Sequence, residues 1–402
     1  QGDVVQATKL KNKFKLGLLY LFFLSFIFFV MDIASQYIIK STFNISIYDE
    51  DYLEKKSVFY KDKQSKYYVH PYFGLASIGD KKYKSEGIAN DYLFHSVALS
   101  PKKNDIKVLL LGGSVAAFLS DDIKKNDIGQ DQKFNTVFAN TLNTHFGVDH
   151  FSVYNASILG GKQPQQFFKL MYLDLVGFKP DIVINVDGFN ELALTLSDNF
   201  DAKLPAVYPR QHNRAISRTA LDNQCGDYSN YFVKSNSKIA IIELVGLIVI
   251  NNCHKEITIS PTDVPYWAKN NSKSYSQYVD ESVKIWTKSS NQIFEFLKPK
   301  QISYIHVLQP NQYQLDSKTL SEKEKIEYLS FPYYGDHITK NYHLLSDDLI
   351  KSDNFTDLRL IFKNEKRTVY ADNCCHLNAL GNSLLAKKII SSNEDLFKEL
   401  LH

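Results

Sequence analysis

Four times along this chain a short apolar run of strand length ends in a polar or glycine-rich cluster. Asp105 to Leu111 (DIKVLLL) leads into Gly112-Gly113-Ser114, and Phe151 to Asn155 opens the cluster Asn155 to Gly161. Asp181 to Val186 (DIVINV) leads into Asp187 to Glu191, and Ile302 to Leu308 (ISYIHVL) gives way to Gln309-Pro310-Asn311-Gln312. Between them lie stretches with helical spacing: around 132–146, Gln163 to Val176 and 274–298. Strand alternating with helix in this way predicts a parallel sheet flanked by helices on both faces. Ligands of such sheets collect at the carboxyl ends of the strands, so all four clusters are expected on one rim.

Residues 192–273 break the rhythm and read as an insertion. Inside them Ile239 to Ile250 (IAIIELVGLIVI) is strongly apolar, but twelve residues carrying Glu243 are too few to cross a bilayer, which favours a buried helix or strand over a second membrane contact. A charged helix is expected from about Ser321, and Tyr370 to Asn378 leads into a last helix, Ala379 to Ile390. A chain of 402 residues suggests two or three units at about 100–200 residues each. The pattern instead assigns one α/β domain to 101–402, preceded by a basic segment (1–15), an apolar segment (16–39) and a polar, Tyr- and Lys-rich stalk (40–100).

Lys9, Lys11, Lys13 and Lys15 precede an uncharged stretch, Leu16 to Met31, and the only ionisable acid or base between Lys15 and Lys40 is Asp32. With Asp32 near the far interface and Tyr37 as an interfacial aromatic, this reads as a single transmembrane signal anchor. A cleaved signal is the rival, and Asp32-Ile33-Ala34 fits a cleavage site poorly. Either reading places the lysines inside and the remainder outside, periplasmic or extracellular. Nucleic acid is not an expected partner, since 47 Lys and Arg are balanced by 44 Asp and Glu. The four cysteines, Cys225, Cys253, Cys374 and Cys375, lie on the exported side, where disulfides form. Cys225 with Cys253 is the preferred pair, with a bridge from either to Cys374-Cys375 close behind. Adjacent cysteines seldom bond each other.

Acyl transfer needs a nucleophile on a sharp turn, a base in reach, a group orienting that base, and donors aimed at the oxyanion. Ser114 after paired glycines supplies the first, although such a turn is by itself more often only a turn. Gly160 offers a backbone N–H and Asn190 a side-chain amide, which otherwise reads as a helix cap. His376 follows Asp372 by four residues, a spacing that lets the carboxylate fix the imidazole tautomer. Metal and cofactor are not expected: Cys253-His254 and Cys375-His376 match no structural zinc spacing, and the glycine pair lacks a phosphate-cradling pattern.

In this order, LLLGGSVA, NASILGG, DGFNE and ADNCCHLNALGN resemble the blocks of the SGNH/GDSL hydrolase superfamily. LQPNQY, Leu308 to Tyr313, is similar to a stretch found in its uncharacterised membrane-anchored members. The resemblance implies a three-layer α/β/α sandwich with Ser114 as nucleophile, His376 as base, and the Ser114 and Gly160 N–H groups with Asn190 as oxyanion donors. The family's aspartate stands three residues before the histidine, where this chain has Asn373. Either a small shift brings Asp372 to the ring, or a Ser-His dyad works with another orienter. Glu191 replaces a frequent aspartate and reads as structural; Glu191, Gln309 and Asn373 are the candidate rim residues. For Cys374 and Cys375, disulfide or packing roles are expected.

Two functions fit these features. One is an exported, membrane-anchored serine esterase or O-acyltransferase acting on an acylated envelope glycan or a similar ester. The other is a catalytically weak or inactive scaffold subunit of a membrane protein assembly, motivated by the long insertion and the displaced aspartate.

Overall fold

The computed structural model describes residues 2–49, 51–52, 55, 67–70, 74–77, 104–119, 137–209, 239–253, 273–329, 334–347 and 349–402. Contacts within the chain group it into two compact units, 1–65 with 217–258, and 66–216 with 259–402.

The larger unit contains a short antiparallel hairpin, β1 (Tyr67–His70) with β2 (Gly74–Ser77), inside the stretch read as stalk. Its centre is a five-stranded parallel sheet of β3 (Ile106–Gly112), β4 (Phe151–Asn155), β5 (Ile182–Asp187), β6 (Ser303–Leu308) and β7 (Phe355–Asp357), in the order β4-β3-β5-β6-β7. Successive side chains of a strand point to opposite faces. In β3, Val108 and Leu110 enter one apolar cluster and Leu109 and Leu111 the other. Both faces are covered, which is why the strand reads as a continuous apolar run.

Helices α2 (Ser114–Phe118), α3 (Val137–Phe146), α4 (Gln165–Leu175) and α5 (Phe189–Leu194) follow the first three sheet strands. Leu170 and Leu173 of α4 pack on the Leu109 side, while Phe138 and Leu142 of α3 pack on the Val108 side. The long α7 (Tyr275–Leu297) opens with Ser274 as its N-cap and serves both layers, Trp286 on one and Ile293 on the other. After α8 (Glu322–Leu329), α9 (Gly335–Asn341) and α10 (Leu344–Asp347), the chain ends in α11 (Ala379–Ser392) and α12 (Glu394–Leu401). The fold is thus the expected α/β/α arrangement. β7 is new relative to the sequence reading, because three half-buried residues carry no periodic signal.

The smaller unit contains α1 (Gly2–Phe43) and α6 (Ala240–Cys253). From Lys13 to Phe43, α1 is long and apolar enough to cross a membrane, and its side chains from Leu16 to Met31 are exposed. The apolar run in the insertion is α6, a helix buried on one face only: Ala240, Leu244 and Leu247 pack with Ile39, Ile45, Ile47 and Tyr52.

Candidate functional site

β3 runs into the site turn at Gly112, whose φ is +135° and where a Cβ would lie 2.0 Å from the carbonyl oxygen of Val186. Only glycine lets the exit of β3 approach β5 so closely. A Cβ on Gly113 would stand 2.6 Å from Nδ2 of Asn190. The second glycine therefore makes room for that amide beside the turn. Ser114 follows as the first residue of α2, so its N–H belongs to the unpaired donors of a helix start. Asn155, at the end of β4, donates from Nδ2 to the carbonyls of Ala116 (2.8 Å) and Ala117 (3.3 Å) and anchors that short helix.

Ser114 Oγ lies 2.7 Å from Nε2 of His376, two residues 262 positions apart in sequence. The other ring nitrogen, Nδ1, is hydrogen-bonded to Oδ2 of Asp372. Asp372 Oδ1 also accepts the Cys374 N–H at 2.9 Å and the His376 N–H at 3.3 Å, so one carboxylate organises the whole turn. The choice left open by the sequence falls to Asp372 in this geometry, while Asn373 presents its carbonyl oxygen to the hydroxyl of Tyr313. Phe118 meets the imidazole edge-on, with ring centroids 5.0 Å apart.

Burial favours the uncharged forms of both partners, but their mutual contact outweighs it. The Asp372 carboxyl is held below its ordinary range by the hydrogen bond and charge of His376. The His376 imidazole is raised above its ordinary value of 6.5 by the Asp372 hydrogen bond, with Cys374 and Asp372 charge adding to it.

Asn190 sits on the first turn of α5 behind the Gly188 cap, and its Nδ2 donates to the carbonyl of Gly161 at 2.8 Å. An amide nitrogen carries two hydrogens, so one remains for a ligand. Gly160, with φ +66°, lies in the loop just before Gly161. Of the candidate rim residues, Glu191 and Gln309 are buried, each 3% exposed. The reason for Glu191 is structural: Oε1 accepts the Gln163 N–H (3.0 Å) and Oε2 the Gly188 N–H (2.9 Å), which clasps the loop carrying Gly160 to the turn carrying Asn190. Burial and the Asp187 charge push its carboxyl up to about 8. Gln309 donates its N–H to the Asp187 carbonyl and accepts from the Tyr342 hydroxyl.

Several supporting residues were not singled out in the sequence. Gln312 Nε2 donates to the Asp372 carbonyl at 3.0 Å, so with Tyr313 the loop after β6 holds the turn bearing the carboxylate. Their signal was the LQPNQY stretch itself. A second serine-histidine-carboxylate chain, Ser290 Oγ to His306 Nδ1 (2.7 Å) and His306 Nε2 to Asp187 Oδ1 (2.9 Å), is 0–2% exposed. Asp187 further accepts from Trp286 Nε1, Asn185 Nδ2 and Gln163 Nε2. This buried chain braces the end of β5, whereas the side chains of His376 and Asp372 are 21% and 40% exposed. No sequence signal marked His306, which lies within an apolar strand.

Cys374 and Cys375 are free thiols with Sγ atoms 3.4 Å apart, so the alternative cross-bridge to this pair is not formed. Cys225 lies outside the described residues, as does the side chain of Cys253, so their pairing does too. Ligand atoms of Cys374, Cys375 and His376 fall within 4.8 Å of one another. Both nitrogens of His376 are engaged by Ser114 and Asp372, however, and a metal ion there would have to displace one of these contacts.

No protein-family model matches this chain, and no curated protein matches it. Among solved structures, the chain is similar to the lipase/acylhydrolase from Enterococcus faecalis, at 12% identity and a TM-score of 0.34, covering 72% of this chain and 95% of that one. A score of that size carries no functional weight, and the chemistry rests on the residues described above.

Proposed function

We propose that this chain is a membrane-anchored serine ester hydrolase or O-acyltransferase of SGNH type. The observation that carries this reading is the linear Ser114–His376–Asp372 relay, with Oγ 2.7 Å from a histidine nitrogen whose partner nitrogen meets a carboxylate. Ser114 Oγ attacks the ester carbonyl carbon while His376 Nε2 takes its proton. The imidazolium that forms is stabilised by Asp372 and returns the proton to the departing alkoxide. The acyl group then rests on Ser114 until water, or a hydroxyl acceptor, discharges it with His376 as base.

The oxyanion of each tetrahedral step is assigned to the Ser114 and Gly160 N–H groups and to the second hydrogen of Asn190 Nδ2. Removing one such donor costs about 10²–10³-fold in kcat. Purified protein is expected to turn over p-nitrophenyl acetate, with Asn190→Ala lowering kcat by that factor and leaving KM within a few-fold. An Asn190→Ala enzyme with parental kcat would remove Asn190 from the oxyanion site.

Leu16 to Ile39 of α1 is the proposed transmembrane anchor, and the lysine-rich flank before it retains the amino terminus inside. An exported, tethered esterase meets acylated envelope molecules, so an O-acylated glycan is the proposed substrate class. The alternative, a scaffold subunit, is less well supported by the geometry. A scaffold has no need of a half-exposed serine held by histidine, beside a glycine that exists to admit an amide.

A further inference from the structure

The exposed face of α6 is inverted relative to a helix designed for water. An amphipathic surface helix buries its apolar stripe and exposes its charges. In α6 the single acidic or basic residue, Glu243, is 2% exposed and accepts a hydrogen bond from Tyr52, while Ile242, Val245 and Ile248 stand 42%, 50% and 42% exposed. At i, i+3 and i+6 these three form one stripe with no polar member.

α6 lies against the carboxyl-terminal part of α1. On α1 the buried or half-buried positions from Asp32 onward are Asp32, Ser35, Gln36, Ile39 and Phe43, a stripe at i, i+3, i+4, i+7 and i+11. Both oxygens of Asp32 are satisfied there: Oδ1 accepts the Ile241 N–H of the first turn of α6 at 3.2 Å, and Oδ2 accepts from Gln36 Nε2 at 3.1 Å. The only acid of the apolar stretch is thus hydrogen-bonded on both oxygens, one of them by the start of a second helix, as a polar group at membrane depth requires. Away from that stripe, α1 exposes the apolar side chains of Ile33 and Ile38, the same in kind as the stripe on α6.

We infer that α6 is a second membrane-embedded element. It lies beside the outer end of the α1 span and presents Ile242, Val245 and Ile248 to lipid acyl chains. Fourteen residues rise only about 21 Å, so α6 does not cross the bilayer but lies within its outer boundary region. The inference rests on the reading of α1 as a transmembrane anchor.

The test is site-specific photo-crosslinking of the full chain in phosphatidylglycerol-phosphatidylethanolamine vesicles whose acyl chains carry an alkyne tag. p-Benzoylphenylalanine is placed singly at Val245, at Ile242, at Leu24 in α1 and at exposed Glu322. Lipid adducts at Val245 and Ile242 are expected at the level of Leu24 and about ten-fold above Glu322. Two probe positions on α6 keep the outcome readable if one variant misfolds. Adducts at Leu24 but only background, or only protein adducts, at both α6 positions would overturn the inference and leave the anchor standing. Background labelling at Leu24 would remove the anchor and, with it, the inference.

Discussion

Ser114→Ala is expected to lower kcat for ester hydrolysis by about 10⁴–10⁶-fold, because nucleophile and base act as a unit and the loss of either removes nearly the whole covalent pathway. The fold is expected to survive. Ser114 is the first residue of a five-residue helix, its side-chain hydrogen bond is with His376, and alanine is a good helix former. Circular dichroism and thermal unfolding should therefore superimpose on the parent, separating loss of chemistry from loss of structure. Equal turnover by parent and Ser114→Ala would mean that another group hydrolyses the ester.

Asp372→Asn is expected to cost about 10³–10⁴-fold in kcat, since asparagine keeps the size but neither fixes the productive tautomer nor stabilises the imidazolium. The pH profile carries a separate sign. His376 must be neutral to accept the serine proton, and its value is raised above 6.5, so the acid limb of kcat/KM should fall above that pH in the parent. Asp372→Asn removes the leading contribution that opposes burial, and the acid limb should move to lower pH. Asn373→Ala is the control. Asn373 meets Tyr313 through its backbone carbonyl, so its side chain is dispensable and activity should stay within a few-fold of the parent. An acid limb unmoved in Asp372→Asn, with a large loss in Asn373→Ala, would reassign the orienting role.

What was legible in the sequence is what short-range physics writes there. β3 and β5 are covered by helices on both faces, so their apolar runs and glycine or polar exits were visible as strands and strand ends. Asp372 and His376 are four residues apart, a local spacing that made their contact one of two readings open in the sequence, the other being a Ser-His dyad with a different orienter. What was not legible depends on distant partners. His306 looks like any polar residue in a strand until Asp187 and Ser290 are brought to its two nitrogens. Glu191 and Gln309 were named as rim candidates, yet both are buried; the Glu191 carboxylate accepts two backbone N–H groups, and Gln309 is held through its own backbone by Asp187 and Tyr342. The orientation of α6 was the hardest, because Glu243 inside an apolar run is informative only once its burial against Tyr52, 191 residues away, is known.

The central claim, that Ser114 is a nucleophile activated by His376, is tested most directly by a fluorophosphonate probe and peptide mass mapping on the full-length protein. A single covalent adduct on Ser114 is predicted, with labelling of His376→Ala slowed by about 10³-fold or more. No adduct at Ser114, or an adduct formed at the same rate with and without His376, would contradict the account.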